Sequence, residues 1–123
     1  MSVVYREKKE ERNNQLYSAA KYGDVKKCRR FIKKGADVDA RDESFSGWTP
    51  AHAAADNGHC EVIRVLAEAG ANLNQAGEHG ETAAMLAAEE GHAEIVKVLV
   101  KAGVDLQLKD KYDRTVFYYA CNV

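Results

Sequence analysis

The stretch GWTPAHAAADNGHCEVIRVLAEAGANLN, residues 47–74, is followed by a second copy, GETAAMLAAEEGHAEIVKVLVKAGVDLQ, at residues 80–107. Gly58-His59 and Gly91-His92 lie 33 residues apart, and Asp113-Arg114-Thr115-Val116 starts a further copy at the same interval. A fixed period of this length identifies a stacked-repeat protein, in which each unit buries its apolar face only against its neighbours. Working back from Gly58 to Gly23 gives an earlier unit at a spacing of 35, two residues longer than the other interval.

The repeat divides into two helices. Apolar residues recur at helical spacing in Val62, Ile63, Val65 and Leu66 and again in Ile95, Val96, Val98 and Leu99. This predicts second helices over about Val25 to Lys34, Cys60 to Ala69 and Ala93 to Ala102. First helices are predicted over Asn14 to Lys21, Thr49 to Asp56, Thr82 to Glu89 and from Thr115 onward. Thr49-Pro50 supplies a side-chain cap and a proline at the first helical position, where its missing N–H costs nothing. Eight of the nine glycines recur in register, between helices at Gly23, Gly58 and Gly91, after them at Gly35, Gly70 and Gly103, and before the next unit at Gly47 and Gly80; only Gly77 stands apart. The first helices are rich in alanine and the second in bulky aliphatics, so the stack is expected to curve with a concave face on the alanine side.

These residues resemble the ankyrin repeat family. Gly47-Trp48-Thr49-Pro50-Ala51-His52-Ala53-Ala54-Ala55, Gly91-His92-Ala93-Glu94-Ile95-Val96-Lys97-Val98-Leu99 and Gly35-Ala36-Asp37-Val38-Asp39 carry its three elements in order, and the likeness covers about residues 12–121. The resemblance implies an all-α ankyrin-repeat solenoid of helix-turn-helix units with protruding hairpin loops, and a non-catalytic module that binds a protein or peptide through its tips and concave face. The expected organisation is a basic N-terminal helical leader or tail over residues 1–12 and repeats over about 13–44, 45–77 and 78–110, with a partial fourth at 111–123. The fourth stops after its first helix, so either the terminus is itself the cap or, as is preferred, the sequence is a fragment of a longer chain. That raises a second reading, a targeting or regulatory domain of a larger enzyme or bacterial effector.

Charge is segregated. Lys and Arg against Asp and Glu number 11 to 4 in residues 1–35, 3 to 12 in residues 36–100 and 4 to 3 beyond, although the whole chain carries only −1. In a solenoid this places a basic end beside an acidic middle. No apolar run is long enough to span a bilayer and the start lacks a signal segment, so a soluble, cytoplasmic protein is expected, with the nucleus as alternative. Cys28, Cys60 and Cys121 form no Cys-x-x-Cys pair and are expected to be reduced, buried small hydrophobes. His52, His59 and His92 sit at repeat positions and are expected to make structural hydrogen bonds.

Catalysis is not expected: the chain has no nucleophile elbow, phosphate loop or metal-ligand spacing, and no cofactor is implied. Function is expected where the repeat is broken. Candidate partner contacts are Glu43, Phe45, Ser46 and Trp48 at the lengthened first tip, and Glu78, His79 and Glu81 at the second. Lys111, Tyr112 and Arg114 serve at the third, with Asp56, Asn57, Glu89 and Glu90 on the inner helices. The acids favour a basic segment. A small-molecule substrate is not expected, nor is an oligomer. Contact of the basic N-terminal end with nucleic acid or a membrane surface is the lesser alternative, since Glu7, Glu10 and Glu11 interrupt the leader.

Overall fold

The computed structural model describes residues 3–44 and 46–121, with side chains from Lys8 onward. Its helices are α1 (Val3–Tyr22), α2 (Val25–Lys33), α3 (Pro50–Asp56), α4 (Cys60–Glu68), α5 (Ala83–Glu89), α6 (Ala93–Lys101) and α7 (Val116–Cys121). Apart from an isolated bridge between Asp42 and Trp48, helix is the regular structure of the described residues. Helices α1, α3, α5 and α7 pack side by side in one row and α2, α4 and α6 in a second, the first three repeats contributing one helix to each row and α7 extending the first. The fold is the helical solenoid that the period predicts.

One boundary differs from the sequence reading. Helix α1 begins at Val3 and runs unbroken through Arg12 and Asn13, so the leader and the first repeat share one helix. No glycine or proline lies between Val3 and Tyr22, and Glu, Lys, Arg and Gln dominate, all residues that lose little on entering a helix.

The inner row is closely packed because its side chains are small. Ala51, Ala54 and Ala55 of α3 and Ala84, Ala87 and Ala88 of α5 are buried, while Val62, Ile63, Leu66, Ile95 and Leu99 fill the space between the rows. The threonine caps are in place: Thr49 accepts from the His52 N–H and Thr82 from the Met85 N–H at 3.3 Å.

Neighbouring repeats lock together through histidines seated on glycines. A Cβ at Gly23 would lie 2.5 Å from the His59 ring and one at Gly58 3.0 Å from His92, and both glycines have positive φ, +75° and +80°. The seated rings donate to carbonyls of the preceding repeat, His59 Nε2–H to Lys21 O at 3.0 Å and His92 Nε2–H to Asp56 O at 3.3 Å. His52, 1% exposed, spans the next junction. Its Nδ1 accepts from the Thr49 N–H at 3.1 Å and its Nε2–H donates to Glu81 O at 2.9 Å. All three histidines are structural, as their register implied.

Ala54 is 0% exposed, so Ala54→Arg would bury an unpaired charge in a site without room, a cost of about 5 kcal/mol or more; loss of the cooperative thermal transition by circular dichroism is the expected result. Burial lowers the His52 pKa below 6.5, outweighing the Glu81 carbonyl bond, so the unfolded chain takes up a proton that the folded chain resists. Stability supplied by neutral His52 is complete above pH 6.5 and falls as the pH drops below it. The thermal midpoint should decline between about pH 7 and pH 5, and His52→Asn should flatten that decline.

Candidate binding surface

Between α2 and α3, α4 and α5, and α6 and α7 the chain runs out into three tips joined edge to edge. In the first, Asp42 N–H donates to Trp48 O at 2.7 Å, and Asp42 Oδ1 accepts from the Ser44 N–H and hydroxyl at 3.0 and 2.6 Å. Ser46, with φ +55°, turns the chain back. Glu78 N–H then donates to Ser46 O at 2.9 Å, tying the second tip to the first, and Lys111 N–H to His79 O at 2.9 Å ties the third to the second. Side chains also bridge the repeats, Asp39 Oδ1 accepting from the Asn72 N–H at 2.8 Å and Asn74 Oδ1 from the Asp105 N–H at 2.7 Å.

Along this edge Glu43, Glu78, His79, Lys111 and Tyr112 are exposed, Tyr112 at 61%. Ser46 and Trp48 are half-buried. The Trp48 ring stacks on His52 with centroids 6.1 Å apart and planes 17° from parallel. Gly77, which the repeat register leaves unexplained, has a reason here: a Cβ there would run into the Glu81 carboxylate and sit 3.1 Å from Trp48. Phe45 lies outside the described residues.

Two of the expected contacts are engaged within the chain. Glu81 is 15% exposed; Oε1 accepts from the His79 N–H at 3.3 Å, and Oε2 lies 3.6 Å from His79 Nδ1. Arg114 is drawn into the third tip by Asp110, whose side chain is 2% exposed. Asp110 accepts from the Tyr112 and Arg114 N–H groups at 2.9 and 3.0 Å, from Arg114 Nε at 3.0 Å and from the Tyr119 hydroxyl. Burial raises the Asp110 carboxyl, but the Tyr119, Arg114 and Tyr112 bonds outweigh it and hold it below the usual carboxylate range. The Arg114 guanidinium also lies over the rings of Tyr112, Tyr118 and Tyr119 at 4.6, 4.8 and 5.1 Å. Burial and the bond to Asp110 push the Tyr119 phenol up to about 12. A cavity of about 330 Å³ opens between this cluster and His79, Glu81 and Glu89.

The sequence reading missed Asp110, Tyr118 and Tyr119 as parts of this arrangement. The available signal was the spacing of Asp110 and Arg114, four residues apart across a turn, with two tyrosines following.

On the inner helices, Asn57, Glu89 and Glu90 are exposed and Asp56 is half-buried. Burial and the facing Glu90 raise the Asp56 carboxyl, against the opposing influence of His92. The Asn57 amide donates to Ala53 O at 2.8 Å. Burial, then Asp42 and Asp56, push the nearby Tyr17 phenol up to about 12.

The cysteines differ from expectation. Cys28 is buried, and burial with Asp24 nearby pushes its thiol up to about 11, but Cys60 is half-buried and Cys121 exposed. Among the described residues no group of His, Cys, Asp and Glu is placed to hold a metal, and no helix is long and apolar enough to cross a membrane.

Stacked helix pairs with a linked edge of tips define a helical repeat protein. Two family models, described as ankyrin repeats (3 copies) and ankyrin repeats (many copies), match residues 4–77 and 66–120. The chain belongs to the ankyrin repeat family, whose members serve generally as protein-interaction modules and are typically non-catalytic. It is 35% identical over 66 residues to protein phosphatase 1 regulatory subunit 27 of Mus musculus, covering 54% of this chain and 42% of that protein. It is 37% identical over 64 residues to histone-lysine N-methyltransferase EHMT1 of Mus musculus, 52% of this chain and 5% of that protein. Ankyrin repeat domain-containing protein 40 of Mus musculus is 31% identical over 81 residues, 66% of this chain and 22% of that protein. The chain thus spans less than half the length of each of these relatives.

Tyr119→Phe removes one donor from the buried Asp110 carboxylate and should cost about 1–3 kcal/mol, read as a lower urea midpoint. An unchanged midpoint would show that the hydroxyl contributes nothing to the third tip.

Proposed function

We propose that this chain binds a protein segment across the tips and inner groove of repeats two to four, and that the segment is basic. The observation that carries the reading is the facing pair Asp56 and Glu90, with Glu89 beside them: burial and mutual repulsion already raise Asp56, and a cation placed there would relieve the cost. Glu43, Glu78 and Tyr112 extend the same surface along the tips, and Tyr112 offers an exposed aromatic of the kind that anchors interfaces. Trp48 serves chiefly as the floor of the first tip, through its stacking on His52.

The backbone under these residues is fixed by main-chain bonds between tips, so little ordering remains to be done on binding. The second reading, a regulatory or targeting domain of a larger protein, draws support from relatives such as the phosphatase regulatory subunit and the methyltransferase, of which this chain matches only a part. The two readings are compatible, because a regulatory ankyrin domain acts by binding.

Selection from a random peptide library on the immobilised chain tests the proposal. Enriched sequences should be rich in Lys and Arg. Glu89→Lys with Glu90→Lys should weaken the selected peptides by about tenfold or more while leaving the thermal midpoint equal or higher, both residues being exposed and the repulsion on Asp56 being removed. Enrichment without charge preference, or binding indifferent to that double change, would overturn the basic-segment reading.

A further inference from the structure

The outward face of α2 carries a feature that packing does not explain. Lys26, Lys27, Arg29, Arg30, Lys33 and Lys34 are all exposed, while Cys28 and Phe31 are buried and Val25 and Ile32 half-buried. At about 100° per residue the six cations fill one unbroken arc of about 160° opposite the apolar side, along some 13 Å of helix. No acidic residue falls within the helix. Asp24, just before it, uses its carboxylate to cap the Lys27 N–H at 3.1 Å, and Glu68 of α4 approaches Arg29 at the edge of the arc at 3.8 Å.

Register shows that this is a departure from the other repeats. Aligned on Gly23, Gly58 and Gly91, Lys26 holds the place of Glu61 in α4 and Glu94 in α6, and Arg29 the place of Arg64 and Lys97. In the later repeats these positions form ion pairs, Arg64 with Glu61 and Lys97 with Glu94 at 3.3 Å. In α2 the same positions are both cationic. A helix N-terminus favours anions, and α2 has none in its first turn. Arg30 and Lys33 suit the last turn of a helix, but Lys26 and Lys27 oppose the dipole, so stability alone would not select them.

We propose that the outward face of α2 is a docking surface for an anionic lipid bilayer. Six Lys and Arg on the free side of an amphipathic helix match the negative potential of a lipid surface. Three observations favour a bilayer over the other polyanions. The arc contains only Lys and Arg, with no Asn, Gln or aromatic side chain to read or stack on bases. It lies on the outer side of the first helix of its row, where a broad charged plane can rest. The open groove beside it, between α2 and α4, is flanked by Glu68, which disfavours an acidic polypeptide lying there. The apolar side of α2 is spent in the core, so the contact is electrostatic, without insertion, and reversed by salt.

The test is co-sedimentation of the whole chain with vesicles of phosphatidylcholine alone or with about a third phosphatidylserine, at low and high salt. Binding is expected only to the anionic vesicles, and lost at high salt. Lys26→Glu with Lys27→Glu should lower the partition coefficient by about thirtyfold or more, from the loss of two surface cations alone. The same change should leave the thermal midpoint equal or higher, since Lys26→Glu restores the acid that α4 and α6 carry at that place and both new carboxylates lie in a first turn, where the helix dipole favours anions. That pairing separates a docking role from a structural one. Lys97→Glu with Lys101→Glu on α6 should leave lipid binding near wild type. Failure to bind anionic vesicles at low salt would overturn the proposal, as would a midpoint that collapses in the α2 variant. A charge-matched DNA duplex or polyglutamate that displaces the chain from vesicles at stoichiometric concentration would also overturn it, reassigning the face to that polyanion.

Discussion

No repeat in this chain has a core of its own. Helix α3 is seven residues long and buries six of them, far more than its partner α4 can cover, so it is held only while α1 and α5 flank it. A helix of that length is not stable alone in water. Much else in the molecule follows from the need to bring neighbouring units close enough: alanine where helices meet, glycine where a histidine must sit, and a threonine cap where the chain enters α3 and α5. The His59 and His92 seats are the clearest case, because they join a steric requirement on one repeat to a hydrogen bond from the next.

That dependence explains what was legible in the sequence. Features that every unit must share recur at a fixed interval, so the glycines, the Thr49 and Thr82 caps and the three structural histidines could be assigned by register alone. The length of α1 could not, since nothing in the first repeat's counterparts corresponds to residues before Asn13; ordinary helix propensity decided it. The individual tip residues were also hard to read. Trp48 folds onto His52 because Gly77, a chain position 29 residues away, leaves room for it, and Arg114 turns inward because Asp110 and three tyrosines surround its guanidinium. Such fates depend on which neighbours meet in space, and a period carries no information about them. Cys121 falls in the same class: its buried counterpart Ala88 has a further repeat against it, and Cys121 is exposed.

The charge pattern reads differently once placed on the fold. Asp56, Glu89 and Glu90 lie on the inner helices and Glu43 and Glu78 on the tips, where burial and then Glu90 raise the Asp56 carboxyl, while the α2 cations face outward on the other row. The near-neutral net charge of −1 thus conceals two surfaces of opposite sign that point in different directions.

The linked tips have a mechanical meaning as well. The Glu78–Ser46 and Lys111–His79 main-chain bonds fasten one rail of the stack, and the His59–Lys21 and His92–Asp56 bonds fasten the other. A ladder pinned on both rails resists shear and twist, so the spacing from rung to rung is set at folding and does not adjust to what is laid against it. On the binding reading proposed above, the molecule would act as a ruler, favouring a partner whose own groups recur at that spacing over one whose groups fall between the marks.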